Sequence, residues 1–256
     1  MNFIDSHTHL YLDQFSEDRA LVIERAIQQG VGRMLLPAID SSTFEAMTKL
    51  AANYPKNCLP MIGLHPTSIN KQVSKELAFV ESELNTGKYI AVGEIGIDLY
   101  WDKTFAEEQT SAFHHQLKLA KKHQLPVVIH MRDSFTEVYQ VVKTELNTDL
   151  RGVFHCFTGT LDEAHKIIDM GFKLGIGGVL TFKNSGLSEV VAQLPLESII
   201  LETDSPYLTP TPYRGKRNES SYIPMIAQKL AEITGKPIAE IAEITTHNAT
   251  QLFNLQ

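Results

Sequence analysis

The feature that most restricts how this chain can fold is a repeated alternation. Short runs rich in Val, Ile, Leu and Phe are separated by longer stretches whose apolar residues recur at helical spacing. The runs fall near Asn2–Ser6, Arg33–Ala38, Cys58–Gly63, Tyr89–Gly93, Pro126–Ile129, Gly152–Phe154, Lys173–Ile176 and Ser198–Glu202. Most are apolar throughout and do not alternate, which is the pattern of strands covered on both faces in a parallel sheet. Between them, Asp18 to Gln29 carries Ala20, Leu21, Ile23, Ala26 and Ile27 and stops at Gly30. Phe105 to His123 ends before Leu125-Pro126, and Leu161 to Met170 ends at Gly171.

Eight strands alternating with helices predict an α/β fold, and eight suits closure into a TIM-type (β/α)8 barrel, which needs about 250 residues. The 256 residues contain no Pro/Gly/Ser-rich linker, so one barrel domain over 1–256 is expected. An open doubly wound sheet is the alternative. The first strand–helix turn, Ser6-His7-Thr8-His9-Leu10, lacks the Gly-rich phosphate loop of a dinucleotide fold. Glu219 to Leu255 predicts additional C-terminal helices, one from about Ser221 and one from about Pro237. The second contains Asn248, Ala249, Leu252 and Phe253 and should pack back on the barrel.

The placement of His, Glu and Asp carries the chemistry. His7 and His9 follow the first strand two residues apart, a spacing that turns both imidazoles to one face of an extended chain. Glu94 follows the fourth run, His130 the fifth, His155 the sixth and Asp204 the eighth. Any one of these is ordinarily a polar group capping a strand end. All six at C-terminal strand ends would converge on the one rim where such barrels place their chemistry. His7, His9 and Asp204 come from the neighbouring first and eighth strands, His130 and His155 from the fifth and sixth. Glu94, with two oxygens, can bridge two cations. Mixed imidazole and carboxylate donors suit zinc, manganese or iron, and magnesium less well.

The net charge of −7 argues against binding nucleic acid through a broad basic surface. It does not exclude a nuclease, because bound cations add positive charge where phosphates approach. Cys58 and Cys156 form neither a disulfide framework nor a CxxC zinc site. No apolar run approaches the roughly 18 residues of a membrane span. Met1-Asn2-Phe3-Ile4-Asp5 is not a basic region leading into an apolar signal core, so a cytoplasmic location is expected.

Together the motifs resemble the TatD family of metal-dependent hydrolases, a branch of the amidohydrolase superfamily. They are Asp5-Ser6-His7-Thr8-His9, Gly63-Leu64-His65-Pro66, Gly93-Glu94-Ile95-Gly96-Ile97-Asp98 and His130-Met131-Arg132-Asp133. His155-Cys156-Phe157-Thr158-Gly159, Glu202-Thr203-Asp204-Ser205-Pro206-Tyr207-Leu208 and Arg214-Gly215-Lys216-Arg217-Asn218-Glu219 follow in order. The resemblance implies hydrolysis of phosphodiesters, chiefly in DNA and as an exonuclease, with two divalent cations per chain (Mg, Mn or Zn). By position, His7, His9, Glu94 and Asp204 match the family's first metal site, and Glu94, His130 and His155 its second. Glu94 stands where many superfamily relatives carry a carboxylated lysine, in agreement with the TatD branch. Ser220 departs from the family's usual proline, a change expected to alter a loop and not the chemistry.

Asp204 is expected to act as general base toward the attacking water. His65 either stacks on Pro66 or donates to a non-bridging phosphate oxygen; the resemblance favours the donor. Arg132, Arg214 and Lys216, with Arg217 beside them, are candidate phosphate contacts. Asp98, Tyr100 and Trp101 could present an aromatic face to a base, or Trp101 could cover the helix that starts near Phe105. Glu202 is expected to support Asp204, while Asn218 and Glu219 hold their own loop. His114, His115, His123, His165 and His247 lie in helical stretches and read as surface or packing residues. Cys156 reads as a small core residue. Gly171, Gly175, Gly177 and Gly178 mark a helix stop and a crowded seventh strand. Two rivals remain: an amide, lactone or small-ester hydrolase on the same metal core, and a non-catalytic metal-binding protein.

Overall fold

The computed structural model describes residues 1–255. Its strands are β1 (Phe3–Asp5), β2 (Val31–Leu36), β3 (Cys58–Pro60), β4 (Val92–Asp98), β5 (Val127–Arg132), β6 (Gly152–Phe154), β7 (Lys173–Ile176) and β8 (Ile199–Leu201). Helices follow each in turn: α1 (Arg19–Gln28), α2 (Phe44–Asn53), α3 (Val73–Leu84), α4 (Ala106–His123), α5 (Phe135–Glu145), α6 (Leu161–Asp169), α7 (Leu187–Val191) and α8 (Ile223–Thr234), with α9 (Ile238–Phe253) appended. The strands pair in parallel in the orders β1-β2-β3 and β4-β5-β6-β7-β8.

Two backbone seams join these sheets into a closed ring. At β3/β4, Ile62 N–H donates to Ala91 C=O and Gly93 N–H to Ile62 C=O (3.2 and 2.9 Å). At β8/β1, Ser6 N–H donates to Leu201 C=O, Asp204 N–H to His7 C=O and His9 N–H to Ser205 C=O (3.0, 2.9 and 2.8 Å). The fold is therefore the TIM-type (β/α)8 barrel with added C-terminal helices that the alternation predicts. The second seam also fixes the relative heights of the segments that carry His7, His9 and Asp204.

The strand boundaries differ from expectation at the centre of the barrel. β4 and β5 run on past Gly93 and Ile129, so Glu94 and His130 lie inside strands and not just beyond them. Pairing continues through Gly96↔His130, Ile97↔Met131 and Asp98↔Arg132. Glycines interrupt the apolar run without interrupting the ladder. Gly96 (φ 148°) lies so close to the His130 carbonyl that a Cβ there would collide with it.

Helix α4 is the main strut beneath the rim. It has Glu107 and Glu108 in its first turn and Lys121, Lys122 and His123 in its last, which complements the helix dipole. Two buried glutamines seven residues apart share its inner face. Gln116 accepts from Leu64 N–H and donates to Leu64 C=O, while Gln109 accepts from Asp98 N–H at 2.8 Å. The loops after β3 and β4 are thus pinned to one helix.

The barrel lumen is filled at its N-terminal end by Ile4, Leu35, Met61, Ala91, Val128, Val153 and Ile200. Ala249, Leu252, Phe253 and Leu255 join this cluster, so α9 closes the base of the barrel. Asn248 secures it by donating to Leu196 C=O and Ile199 C=O, both at 2.8 Å. The expected packing of α9 is what the structure shows. Phe253→Ala should cost about 3–5 kcal/mol of unfolding free energy, as for other buried aromatic truncations. Urea denaturation measures it; a loss under about 1 kcal/mol would mean that α9 does not seal the base.

Candidate metal centre

Glu94 sits at the middle of the C-terminal mouth, 2% exposed, with five imidazoles around its two oxygens. Its Oε2 is 3.1 Å from His7 Nε2 and 3.7 Å from His9 Nε2. Its Oε1 is 2.7 Å from both His130 Nδ1 and His155 Nε2 and 3.2 Å from His65 Nε2. Asp204 Oδ1 completes the first group, 3.8 Å from His7 Nε2 and 3.6 Å from His9 Nε2. All six candidate ligands and His65 therefore meet in one mouth, and the two oxygens of Glu94 face opposite halves of it.

The supporting hydrogen bonds decide which imidazole nitrogens carry protons. Tyr11 donates its only O–H to Pro37 C=O at 2.6 Å, so it accepts from His9 Nδ1–H at 2.9 Å. His9 Nε2 is then a lone pair turned toward Glu94 Oε2 and Asp204 Oδ1. His9 thus brings a lone pair and no proton to two carboxylate oxygens, and this donor set fits a metal ion. His65 differs. Its Nδ1 accepts from Thr67 N–H at 3.1 Å, so the neutral ring carries its proton on Nε2 and turns a donor inward. The ring also meets His130 edge-on, with centroids 4.6 Å apart, so it is not merely stacked on Pro66.

Behind His130 and His155 stand carboxylates, as behind the histidines of many metal sites. Asp98 Oδ2 lies 2.9 Å from His130 Nε2, and Glu202 Oε1 lies 3.5 Å from His155 Nδ1. Glu202 also accepts from Cys156 N–H at 2.5 Å, so it backs His155 and not Asp204 as the sequence suggested. There is room for it because residue 175 is glycine: a Cβ would overlap Glu202 Oε2 and come within 3.0 Å of His155 Cα. Asp5 accepts from Thr203 N–H and Oγ1–H at 2.9 and 2.6 Å, and burial pushes its carboxyl up to about 7. Asn218 donates to Thr203 C=O and Tyr207 C=O, clasping the turn in which Asp204 takes a left-handed conformation (φ 56°). Glu219 accepts a bidentate pair from Arg25, and Ser220 is buried 3.5 Å from the Thr8 hydroxyl. Asn218 and Glu219 hold their loop, as expected.

Tyr11 and Thr67 escaped the sequence reading, and Asp98 was seen only as a loop residue. Spacing held a signal for two of them. Tyr11 continues the two-residue step of His7 and His9, and Asp98 lies four residues beyond Glu94 on the same strand face.

The rim residues divide. Arg132 and Arg214 are exposed and rest on aromatic rings, Arg132 at 3.9 Å over Tyr100 and Arg214 at 3.9 Å over Phe182. Lys216 is exposed 5.9 Å from the Tyr213 ring. Arg217 leaves the expected basic cluster, because both its terminal nitrogens are taken by Asp18 (2.8 and 2.7 Å). Trp101 is 68% exposed and so does not cover α4. Cys156 is half-buried and not a core residue, because a left-handed turn (φ 49°) swings the chain out of β6 to meet Glu202. The five helical histidines lie away from the mouth: His114 meets Glu145 at 3.2 Å, and His115, His165 and His247 are exposed on their helices.

Opposing forces set the charges. Burial would raise Glu94, but His155, His65, His7 and His130 outweigh it and hold the carboxylate well below its usual range. The same balance lowers Asp204, through His9, His7 and His155. Burial lowers His7 and His65. For His130 and His155 burial is overcome by the facing carboxylates, which raise the first and raise the second well above the usual histidine value.

A family model described as TatD related DNase matches residues 4–254. An uncharacterized metal-dependent hydrolase of Bacillus subtilis, YabD, is 38% identical over 252 residues, 98% of each chain. The 3'-5' ssDNA/RNA exonuclease TatD of Erwinia tasmaniensis is 32% identical over 257 residues, covering 98% of this chain and 99% of that one. The crystal structure of the Escherichia coli TatD homologue YjjV superposes with a TM-score of 0.93 at 34% identity, over 99% of this chain and 98% of that one.

The charge balance makes stability depend on pH once divalent ions are chelated. Stabilisation from His130 and His155 is full below the ordinary histidine pKa of about 6.5 and is lost as pH rises through their raised values. That from Glu94, Asp98 and Asp204 is present above the ordinary carboxylate pKa of about 4 and is lost as pH falls through their lowered values. Thermal midpoints of chelated protein should therefore fall on both sides of a maximum. A midpoint flat from about pH 6 to about pH 9 would contradict the raised histidines.

Proposed function

The chain belongs to the TatD family of metal-dependent hydrolases, and on that premise we propose that it cleaves phosphodiester bonds in DNA, as an exonuclease, with two divalent cations per chain. The observation that carries this reading is the split environment of Glu94. One oxygen faces His7 and His9 beside Asp204, the other faces His130 and His155, and His155 also lies within 4.8 Å of His7 and Asp204, so the two groups adjoin. His7, His9, Glu94 and Asp204 would hold one cation, and Glu94, His130 and His155 the second. Mg, Mn and Zn are the candidate ions, the imidazoles favouring Mn or Zn. Bound there, such ions supply Lewis-acid stabilisation of a phosphoryl oxygen and a lowered pKa for water.

The chain's own residues do the rest. Asp204, 15% exposed at its side chain and lowered into its ionised form, accepts the proton of the attacking water. His65 Nε2–H donates to a non-bridging phosphoryl oxygen, where negative charge builds in the transition state. Arg132 at the end of β5, and Arg214 and Lys216 on an exposed loop, draw the flanking phosphates in. The name of the Erwinia relative supports nucleic acid as the substrate.

Three measurements test this. Chelation should abolish cleavage of labelled single-stranded DNA, with recovery on adding back Mg, Mn or Zn. Asp204→Asn should lower kcat by about 10²–10⁴ with its melting profile kept; near-normal turnover would remove Asp204 from the proton-transfer role. Tyr11→Phe removes the acceptor for His9 Nδ1–H, so metal affinity should fall about 10- to 100-fold by competition with a chromogenic chelator. Unchanged affinity would show that Tyr11 does not orient His9.

A further inference from the structure

A pocket of about 250 Å3 opens between the loops that follow β3 and β4. Pro66, Ile69, Trp101 and Phe105 give it apolar walls, and Asp98 and Asp102 a polar edge. It borders the mouth directly. Thr67, also on its lining, contacts His65 Nδ1 at 2.7 Å, and Asp98 faces His130 Nε2 at 2.9 Å.

Two large aromatic side chains are left in water beside it: Trp101 is 68% exposed and Tyr100 51%. Grouped exposed aromatics mark a surface that meets a ligand. These rings are fixed in place. The Tyr100 and Trp101 N–H groups both donate to Asp98 Oδ1, at 3.0 and 3.2 Å. The rings meet edge to face at 4.9 Å, and the Arg132 guanidinium lies over Tyr100, 5.2 Å from the Trp101 ring. Asp98 therefore ties the aromatic loop and His130 to one carboxylate.

We propose that this pocket is a nucleobase subsite, which takes the base next to the scissile phosphate with one face against Trp101. The inference rests on the phosphodiesterase reading of the metal centre. Its lining includes two carboxylates and no lysine or arginine, so a phosphate is repelled and a neutral ring with N–H donors is favoured. Its volume falls below the roughly 300–1,000 Å3 of sites for larger ligands, which suits one ring system and not several nucleotides. Arg132, at the pocket's edge, has no carboxylate partner among the described residues and is free for the neighbouring phosphate. A base engaged in a Watson–Crick pair cannot enter, so a duplex end must fray before it is cut.

The chain's single tryptophan provides the readout. A short single-stranded oligodeoxynucleotide with phosphorothioate linkages should quench Trp101 fluorescence on binding to the metal-loaded protein. The same oligonucleotide without its terminal bases should not. Read by anisotropy of a dye-labelled oligonucleotide, which needs no tryptophan, Trp101→Ala should weaken the intact probe roughly five- to 150-fold, the range that base–aromatic stacking is worth. Trp101→Phe should restore most of that affinity, and the alanine variant should lose little more when the terminal bases are absent. Saturating the wild-type protein without any quenching, or an equal loss for both probes in the alanine variant, overturns the subsite. Quenching without cleavage of ordinary DNA would overturn the phosphodiesterase reading and leave the subsite standing. Cleavage without quenching would do the reverse.

Discussion

A carboxylate sealed inside a protein is tolerated only when its charge is answered, and the fold is organised around answering that of Glu94. Five histidines from four different parts of the chain reach it, and the barrel is what brings them there. No local segment could do so, because His7 and His155 lie far apart in sequence yet stack with ring centroids 3.9 Å apart. Such a cluster needs strands closed into a ring, so that every C-terminal end faces one space. The β8/β1 seam is decisive here. The same backbone hydrogen bonds that close the barrel run through His7, His9 and Asp204, so closing the fold and building the site are one event.

The imidazoles would be poor ligands if their rings could turn. Each one whose outer nitrogen is held by a defined partner has lost that freedom: His9 by Tyr11, His65 by Thr67, His130 by Asp98. The partners are unlike in kind, and the difference matters. A phenol oxygen or a carboxylate behind the ring accepts a proton and leaves a lone pair facing the mouth. A backbone N–H behind the ring donates and leaves a proton facing it. One residue type thus yields inward lone pairs at His9 and His130 and an inward donor at His65, and the choice is made outside the ring.

Much of this was legible in the sequence. Apolar runs at regular intervals gave the barrel, and a histidine or carboxylate after most of them gave the cluster, because strand ends in a parallel barrel share a direction. The order of short motifs pointed to the family. The bounds of β4 and β5 were not legible, because Gly93 and Gly96 look like the end of a strand when they serve its close approach to β5, at Val128 and at His130. Nor was the fate of the basic residues near the rim. Arg217 and Arg214 are alike in sequence, but only coordinates show one spent on Asp18 and the other resting on Phe182. Tyr11 and Thr67 were hidden for a related reason: a tautomer is set by contacts that composition does not record.

The acidity of the chain also becomes intelligible at the mouth. Glu94, Asp98, Glu202 and Asp204 put four carboxylates beneath any approaching group, in a protein of net charge −7. A phosphodiester is itself anionic, so without added positive charge this surface would turn it away. Four carboxylates among histidines that are neutral when they act as ligands instead suit cations, and on the proposed reading it is the resulting centre that would accept a phosphate. On the proposed reading, attraction would depend on the cations and on Arg132 and Arg214, whose guanidinium groups rest on aromatic faces with no acidic partner among the described residues. The acidic body confines the attraction to one place. A chain with a broad basic surface would hold nucleic acid anywhere along its length, whereas the proposed function would confine it here to the place where cations and rim arginines coincide.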